Sequence, residues 1–264
     1  MEIGYWGINQ SPISNLQSLC FMDWLSFSRP LIIGHRGASA DAPENTLAAF
    51  ALAQKQGADG VELDVQLSAD GRIVIIHDTT VDRTTNGSGK VSDMTLAELQ
   101  ALDAGAGQTI PTLDELFEMM GADILYNVEL KPFAMDAAGL ATAVADRIQA
   151  HNLESQVLVS SFNPLMVRRA RQHLTPQTMV AHIWYMKQFK YKYLLAKAEA
   201  HHPRHTLVDE AYMTWAHKHN WRVHTWAVDD PVEAQRLIDL GVNGLITNKP
   251  QFLRESLGWV THES

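Results

Sequence analysis

Eight short apolar runs, separated by segments of helical periodicity, constrain the fold of this chain more than any other feature. They begin near residues 31, 61, 124, 157, 178, 206, 222 and 244. The first, LIIGH at 31–35, leads into a loop containing Gly37 and Pro43, then a helical stretch from Asn45, the candidate N-cap, to about Gln56, with Gly57 as its stop. Residues 61–65 form the next strand, and strand–helix–strand order calls for parallel pairing with a right-handed crossover. Helices are expected over 137–151, 165–173, 187–200, 211–219 and 231–240, alternating with strands over 157–161, 178–183, 206–209, 222–228 and 244–247. Eight strands with helices between them predict an α/β fold closed as a (β/α)8 barrel. An open doubly wound sheet would usually carry a Gly-rich dinucleotide loop after its first strand, and GHRGAS is not one.

The stretch VELDVQLSADGRIVIIHD, residues 61–78, adds a local constraint. Glu62 and Asp64 alternate with Val61, Leu63 and Val65, so both carboxylates share one face of a strand. The apolar parity must pack under helices, which turns the acids into the barrel. Ser68-Ala69-Asp70-Gly71 is a turn signal, and the link is too short for a crossover helix. The run 72–76 therefore folds back antiparallel, setting residue 64 across from residue 76 and His77 diagonally beside Asp64 and Glu62.

The chain of 264 residues suits one barrel. Its net charge of −9 disfavours a nucleic-acid surface, which needs clustered Lys and Arg. Cys20 is the only cysteine, so an intrachain disulfide and a thiolate zinc site are both excluded, in keeping with a reducing, cytoplasmic setting. Residues 13–27 carry Asp23 and lack a basic lead, unlike a secretory signal, and no apolar run reaches the roughly 18 residues of a membrane span. We divide the chain into an N-terminal extension, 1–28, with residues 1–25 expected to pack poorly and Met22 a candidate start, and a barrel domain, 29–264. An irregular segment runs from Thr79 to Gln108. Oligomeric state is not legible.

In a barrel of this kind the C-terminal strand ends form the site. Those ends hold His35, Glu62 with Asp64, Glu129 with Lys131, Ser161 and Trp226, and His77 arrives from the hairpin. Three converging carboxylates repel by roughly several kcal/mol per close pair at an effective dielectric near 20. Protons or a cation must offset this, and an all-oxygen cluster suits Ca²⁺ or Mg²⁺ better than Zn²⁺. Two histidines beside a divalent cation suit general acid–base work on a phosphoester, with Arg36 and Lys131 on the phosphate oxygens. Arg36 follows His35 directly, so Gly37 must let the backbone bend for both to face the mouth. Phe162 and Trp226 are candidate pocket walls. His201, His202 and His205 surround Pro203 with no carboxylate in the run and read as a solvated loop, and residues 187–197 as a plain amphipathic helix.

HRGASADAPENTLAAF and GADGVELDVQLSADGRIVIIHD resemble motifs of the glycerophosphodiester phosphodiesterases. So do DRTTNGSGKVSDMTLAEL, IPTLDEL, VELK, VSSFNP, HTWAVDD and GVNGLITNKP, over about residues 31–253. The resemblance implies a TIM barrel with a small insert, about 78–111, over its mouth. It implies hydrolysis of glycerophosphodiesters to glycerol 3-phosphate and an alcohol, with Ca²⁺ or Mg²⁺ as cofactor and a small-molecule substrate as the partner. The family's histidine pair falls on His35 and His77, its metal carboxylates on Glu62, Asp64 and Glu129, and its phosphate-binding residues on Arg36 and Lys131. In related barrels the glycerol 2-hydroxyl attacks first and water then opens a cyclic phosphate; which histidine is acid stays open.

Two motifs depart from the family pattern. Trp226-Ala227-Val228-Asp229 stands where the family often reads W-T-V-N, and Thr247-Asn248 where it often ends T-D. Both lie at the rim and bear on alcohol-side specificity. One alternative activity is that of a lysophospholipase-D-like or phosphoinositide-type phosphodiesterase, which needs an apolar lid; the insert, with Thr84, Thr85, Asn86, Ser88 and Lys90, is polar. The other is an inactive metabolite-binding barrel, against which the full set of histidines and acids argues.

Overall fold

The computed structural model describes residues 22–131, 138–186 and 193–259. Its first strand, β1 (Leu31–His35), leads through α1 (Leu47–Lys55) to β2 (Gly60–Leu67). The hairpin arm β3 (Ile73–Ile75) pairs antiparallel with β2 in the expected register, Val65 opposite Ile75, and the Ile76 amide donates to the Asp64 carbonyl at 2.9 Å. After α2 (Leu96–Gln100) and α3 (Leu113–Met120), strand and helix alternate: β4 (Leu125–Leu130), α4 (Ala138–Ala150), β5 (Val157–Ser161), α5 (Pro164–His173), β6 (Met179–Trp184), α6 (Tyr193–Ala196) and β7 (Ala200–Pro203). The series ends with α7 (Glu210–Lys218), β8 (Arg222–Thr225), α8 (Pro231–Asp239), β9 (Gly244–Thr247) and α9 (Pro250–Ser256). Every neighbouring pair is parallel except β2–β3, and β1 pairs with both β2 and β9, so eight strands close into a (β/α)8 barrel.

Two apolar layers hold it together. Outward residues Val61, Leu63 and Val65 pack with Phe50 and Ala53 of α1 and with Leu113, Leu116 and Phe117 of α3. Inside the barrel, Leu31, Ile33, Leu125, Leu158, Ala181, Ala200 and Ile246 form a second cluster with Trp24. The insert has a small core of its own, in which Val74 and Ile76 gather Val81, Val91, Leu99, Ala104 and Ile110. Thr95 and Thr112 each open their helix with a capping box, Glu98 and Glu115 being the reciprocal partners.

Three expectations need correction. The seventh barrel strand lies at Ala200–Pro203, not 206–209, where a 3-10 turn, His205–Leu207, stands instead. His201 and His202 are therefore buried strand residues rather than a solvated loop. His201 points outward and stacks on Trp221 with ring centroids 4.0 Å apart, while His202 points inward. Neutral imidazole among aromatic rings packs as a flat apolar plate, which a polar reading of AHHP misses. Second, of the helix expected over 187–200, Tyr193–Ala196 is helical and residue 200 is already strand; 187–192 lie outside the described residues. Third, residues 1–25 are not uniformly loose. Residues 1–21, including Cys20, lie outside the described residues, but Trp24 is 2% exposed and donates its indole N–H to the Gln156 carbonyl at 2.9 Å. The barrel bottom needs a large apolar plug, and the segment before β1 supplies it.

Candidate active site

Parallel register builds the site from three adjacent strands. His35 pairs with Glu62 across β1–β2, and Asp64 with Glu129 across β2–β4. Inward parity gathers Glu62, Asp64 and Glu129, all buried, with one oxygen of each within 4.8 Å of the others. Two cations lean on this triad. Lys131 Nζ lies 2.5 Å from Glu129 Oε1 and 3.2 Å from Asp64 Oδ1, and Arg36 Nε lies 3.3 Å from Asp64 Oδ2.

Arg36 reaches the mouth because the chain bends as expected after β1, with Arg36 itself as well as Gly37 in the left-handed region, at φ 56° and 84°. A Cβ on Gly37 would sit 2.6 Å from the Ala49 backbone, so glycine is required there. The bend turns the Arg36 amide toward Glu62 Oε2, to which it donates at 3.0 Å.

His35 and His77 line one cavity of about 170 Å³. The polar wall also holds Arg36, Glu62, Asn127, Glu129, Lys131 and His202; the apolar wall is Phe162, Ile183, Trp226 and Ile246. Phe162 meets Trp226 edge-on at 5.6 Å, and Lys131 Nζ sits 5.6 Å from the Phe162 ring centre. His35 Nδ1 is 2.7 Å from Asn248 Oδ1, and His77 Nδ1 is 2.6 Å from Asp78 Oδ1. Of the residues expected at strand ends, Ser161 alone turns away: its hydroxyl is buried and donates to the Leu130 carbonyl at 3.0 Å.

Burial pushes the Glu62 carboxyl well above the ordinary carboxylate range, and Asp64 and Glu129 add to the push. Burial likewise lifts Glu129 to about 7 against the pull of Lys131. At Asp64 burial is outweighed by Lys131 and Arg36, which hold that carboxyl down at about 2. His35 is kept below the usual imidazole range by burial and then by Arg36.

The model of the glycerophosphoryl diester phosphodiesterase family matches residues 35–252, a span running from His35 past Asn248. The chain belongs to this family. It is 39% identical over 235 residues to a glycerophosphodiester phosphodiesterase of Caldanaerobacter subterraneus subsp. tengcongensis, an alignment covering 85% of this chain and 96% of the relative. A glycerophosphodiester phosphodiesterase of Bacillus subtilis is 30% identical over 259 residues, 88% of this chain and 87% of that one. Among solved structures, an Oleispira antarctica phosphodiesterase in complex with the product sn-glycerol-3-phosphate superposes with a TM-score of 0.81 at 30% identity, covering 87% of this chain and 97% of that one. This glycerophosphodiester phosphodiesterase is thus a phosphoric diester hydrolase, and among its described residues no helix is long and apolar enough to cross a membrane.

The triad of this phosphodiesterase fits a hard divalent cation. Its donors are all oxygens, it is buried, and two of its three carboxyls are driven toward the protonated form by burial and mutual repulsion, the condition a bound cation relieves. Several site residues escaped the sequence reading. Asn45 is not the N-cap of α1; Thr46 is, and Asn45, at φ 59°, donates its amide to Asp64 Oδ2 at 2.8 Å. Asparagine tolerates that left-handed φ better than most residues, which was the available signal. Asn127 shares parity with Glu129 and was legible on that ground. Below it the interior is polar: Asn127 Nδ2 lies 3.5 Å from His202 Nδ1, and His202 Nε2 lies 3.0 Å from His224 Nδ1. Asn248, read as a rim residue for the alcohol side, touches His35 instead.

Proposed function

We propose that the enzyme hydrolyses glycerophosphodiesters to sn-glycerol 3-phosphate and a free alcohol, with His35 and His77 as the proton-transfer pair. Glu62, Asp64 and Glu129 are the residues to hold a divalent cation, Ca²⁺ or Mg²⁺, which when bound would offset the acids and polarise a phosphoryl oxygen. The observation that carries this reading is the convergence on one cavity, with an apolar far wall, of two imidazoles, two cations and two acids, Glu62 and Glu129, behind which Asp64 completes the buried triad.

Arg36 and Lys131 supply fixed positive charge to the non-bridging phosphate oxygens, where charge builds up in the transition state. One imidazole takes the proton of the attacking hydroxyl and the other returns a proton to the departing alkoxide. Phe162 and Trp226 pack against the carbon skeleton of the diester and exclude water from that side. Asp78, 2.6 Å from His77 Nδ1, holds that ring by one nitrogen and leaves the other for chemistry.

The test is a panel of glycerophosphodiesters and lysophosphatidylcholine, assayed with Ca²⁺, with Mg²⁺ and with chelator. Release of choline from glycerophosphocholine, lost with chelator and reduced roughly 10²–10⁴-fold by His77→Ala, is the expected result. Turnover confined to lysophosphatidylcholine, or a His77→Ala enzyme as fast as wild type, would overturn the reading.

A further inference from the structure

We infer that Asp229, which lines no part of the cavity, is a positioning residue that sets the tautomer of His35 through Asn248. The inference rests on the proposed role of His35 for its kinetic consequence, but its geometry stands alone. The Asp229 carboxylate gathers three donors: the Thr247 hydroxyl at 2.8 Å, the Asn248 backbone amide at 2.8 Å and the Asn248 side-chain Nδ2 at 2.6 Å. An ionised carboxylate only accepts, so it dictates which end of the Asn248 amide faces it. The reversed amide would set two oxygens 2.6 Å apart with no hydrogen between them.

With Nδ2 committed to Asp229, Oδ1 of Asn248 must point the other way. There it accepts the Ser39 hydroxyl at 2.8 Å and faces His35 Nδ1 at 2.7 Å. A carbonyl oxygen cannot donate, so Nδ1 carries the hydrogen. In the neutral ring Nε2 is then a bare acceptor, on the side where Glu62 Oε2 stands 3.9 Å away. Asp229 thus settles, two links away, which nitrogen of His35 can take a proton.

Both positions are among the three at which this chain departs from the family pattern, Ala227 being the third, and the structure sets these two against each other. A carboxylate stands at 229 and an amide at 248, the reverse of the frequent order. The exchange keeps one carboxylate and one amide in contact and so preserves the orientation of the acceptor that faces His35.

The experiment compares the full-length wild type with Asp229→Asn, Asn248→Asp and the double exchange Asp229→Asn/Asn248→Asp. One readout is ¹⁵N NMR of histidine-labelled protein above pH 7.5, the His35 signals being identified by their loss in His35→Asn. The other is kcat and KM on glycerophosphocholine at saturating cation. Wild type is expected to show hydrogen on Nδ1 and a bare Nε2 at His35. Asp229→Asn is expected to mix the tautomers and lower kcat about 10–100-fold, with KM within about threefold. Asn248→Asp, which faces two carboxylates, is expected to fall as well, and the double exchange to recover kcat to within about threefold of wild type. Hydrogen on Nε2 in wild type, an unchanged kcat in Asp229→Asn, or a double exchange no better than the singles would overturn the inference. A wild type that turns over no diester would refute the proposed function, while the NMR arm still decides the tautomer.

Discussion

Arg83 grips Glu44 with both terminal nitrogens, at 2.8 and 2.7 Å, and with Nε it holds Asp78 at 2.6 Å. Those two carboxylates in turn hold Arg36, through NH1 at 2.8 Å, and His77. One guanidinium on the insert thereby ties both sides of the cavity together. Its side chain is 49% exposed, so its ion pairs contribute little to stability. Arg83→Ala is expected to lower kcat about tenfold while Tm moves by no more than about 2 °C. Steady-state kinetics beside a thermal melt check this; equal losses in both would mark Arg83 as structural only.

Glu62→Gln should act in opposite directions on metal affinity and on stability. Removing one acid weakens cation binding by a factor of about ten or more, about 1.4 kcal/mol. It also relieves repulsion from Asp64 and Glu129, so the metal-free variant should melt higher than metal-free wild type, by about 2–4 °C for each kcal/mol. Titration calorimetry and melts in chelator test the pair of signs, and a variant melting lower in chelator would argue against a strained triad.

The interior imidazoles predict an acid-side loss of stability. Burial holds His202 down at about 3, and His201 and His224 well below the ordinary range. Below about pH 6.5 the unfolded chain binds protons that the folded rings refuse, so their contribution falls as pH falls; for His202 the loss runs down to about pH 3 and reaches about 2 kcal/mol at pH 5. Glu62 and Glu129, raised by burial, act with the opposite sign, gaining stability as pH drops. The measurement is therefore the difference between wild type and His224→Phe in urea midpoint at pH 7.5 and pH 5. The variant should lose less on acidification, and parallel losses would refute the assignment.

Trp24 closes the end of the barrel opposite the cavity, its ring 5.2 Å from that of His224. Trp24→Ala is expected to cost about 3–5 kcal/mol, near the usual range for deleting a buried aromatic side chain. Catalysis at 25 °C should stay within about twofold. Calorimetry and a rate assay on one sample separate the two, and an unchanged Tm would mean that the indole is not a plug.

Much of the site was legible because its geometry is local. The 61–78 hairpin needs one turn signal and the alternation of side chains to bring Asp64 opposite Ile76, and that register is the one observed. The inward face of Glu62 and Asp64 followed from the apolar parity of Val61, Leu63 and Val65, since only that parity can pack beneath helices. The displaced seventh strand shows where such reasoning stops. His201 and His202 belong to a strand because Trp221 and the barrel interior receive them, and both lie well away in sequence or on other strands.

The amino-acid order alone determined the alternation of strand and helix, the pairing of β2 with β3 and the face that carries the acids, because each depends on periodicity within a few residues. Only closure of the barrel decided that Asn248 meets His35 across 213 positions, that Asn45 serves Asp64 while Thr46 caps α1, and that Trp24 fills the floor. These contacts join segments whose separation in space is set by the eight-strand ring as a whole, and no local pattern of side chains encodes that distance.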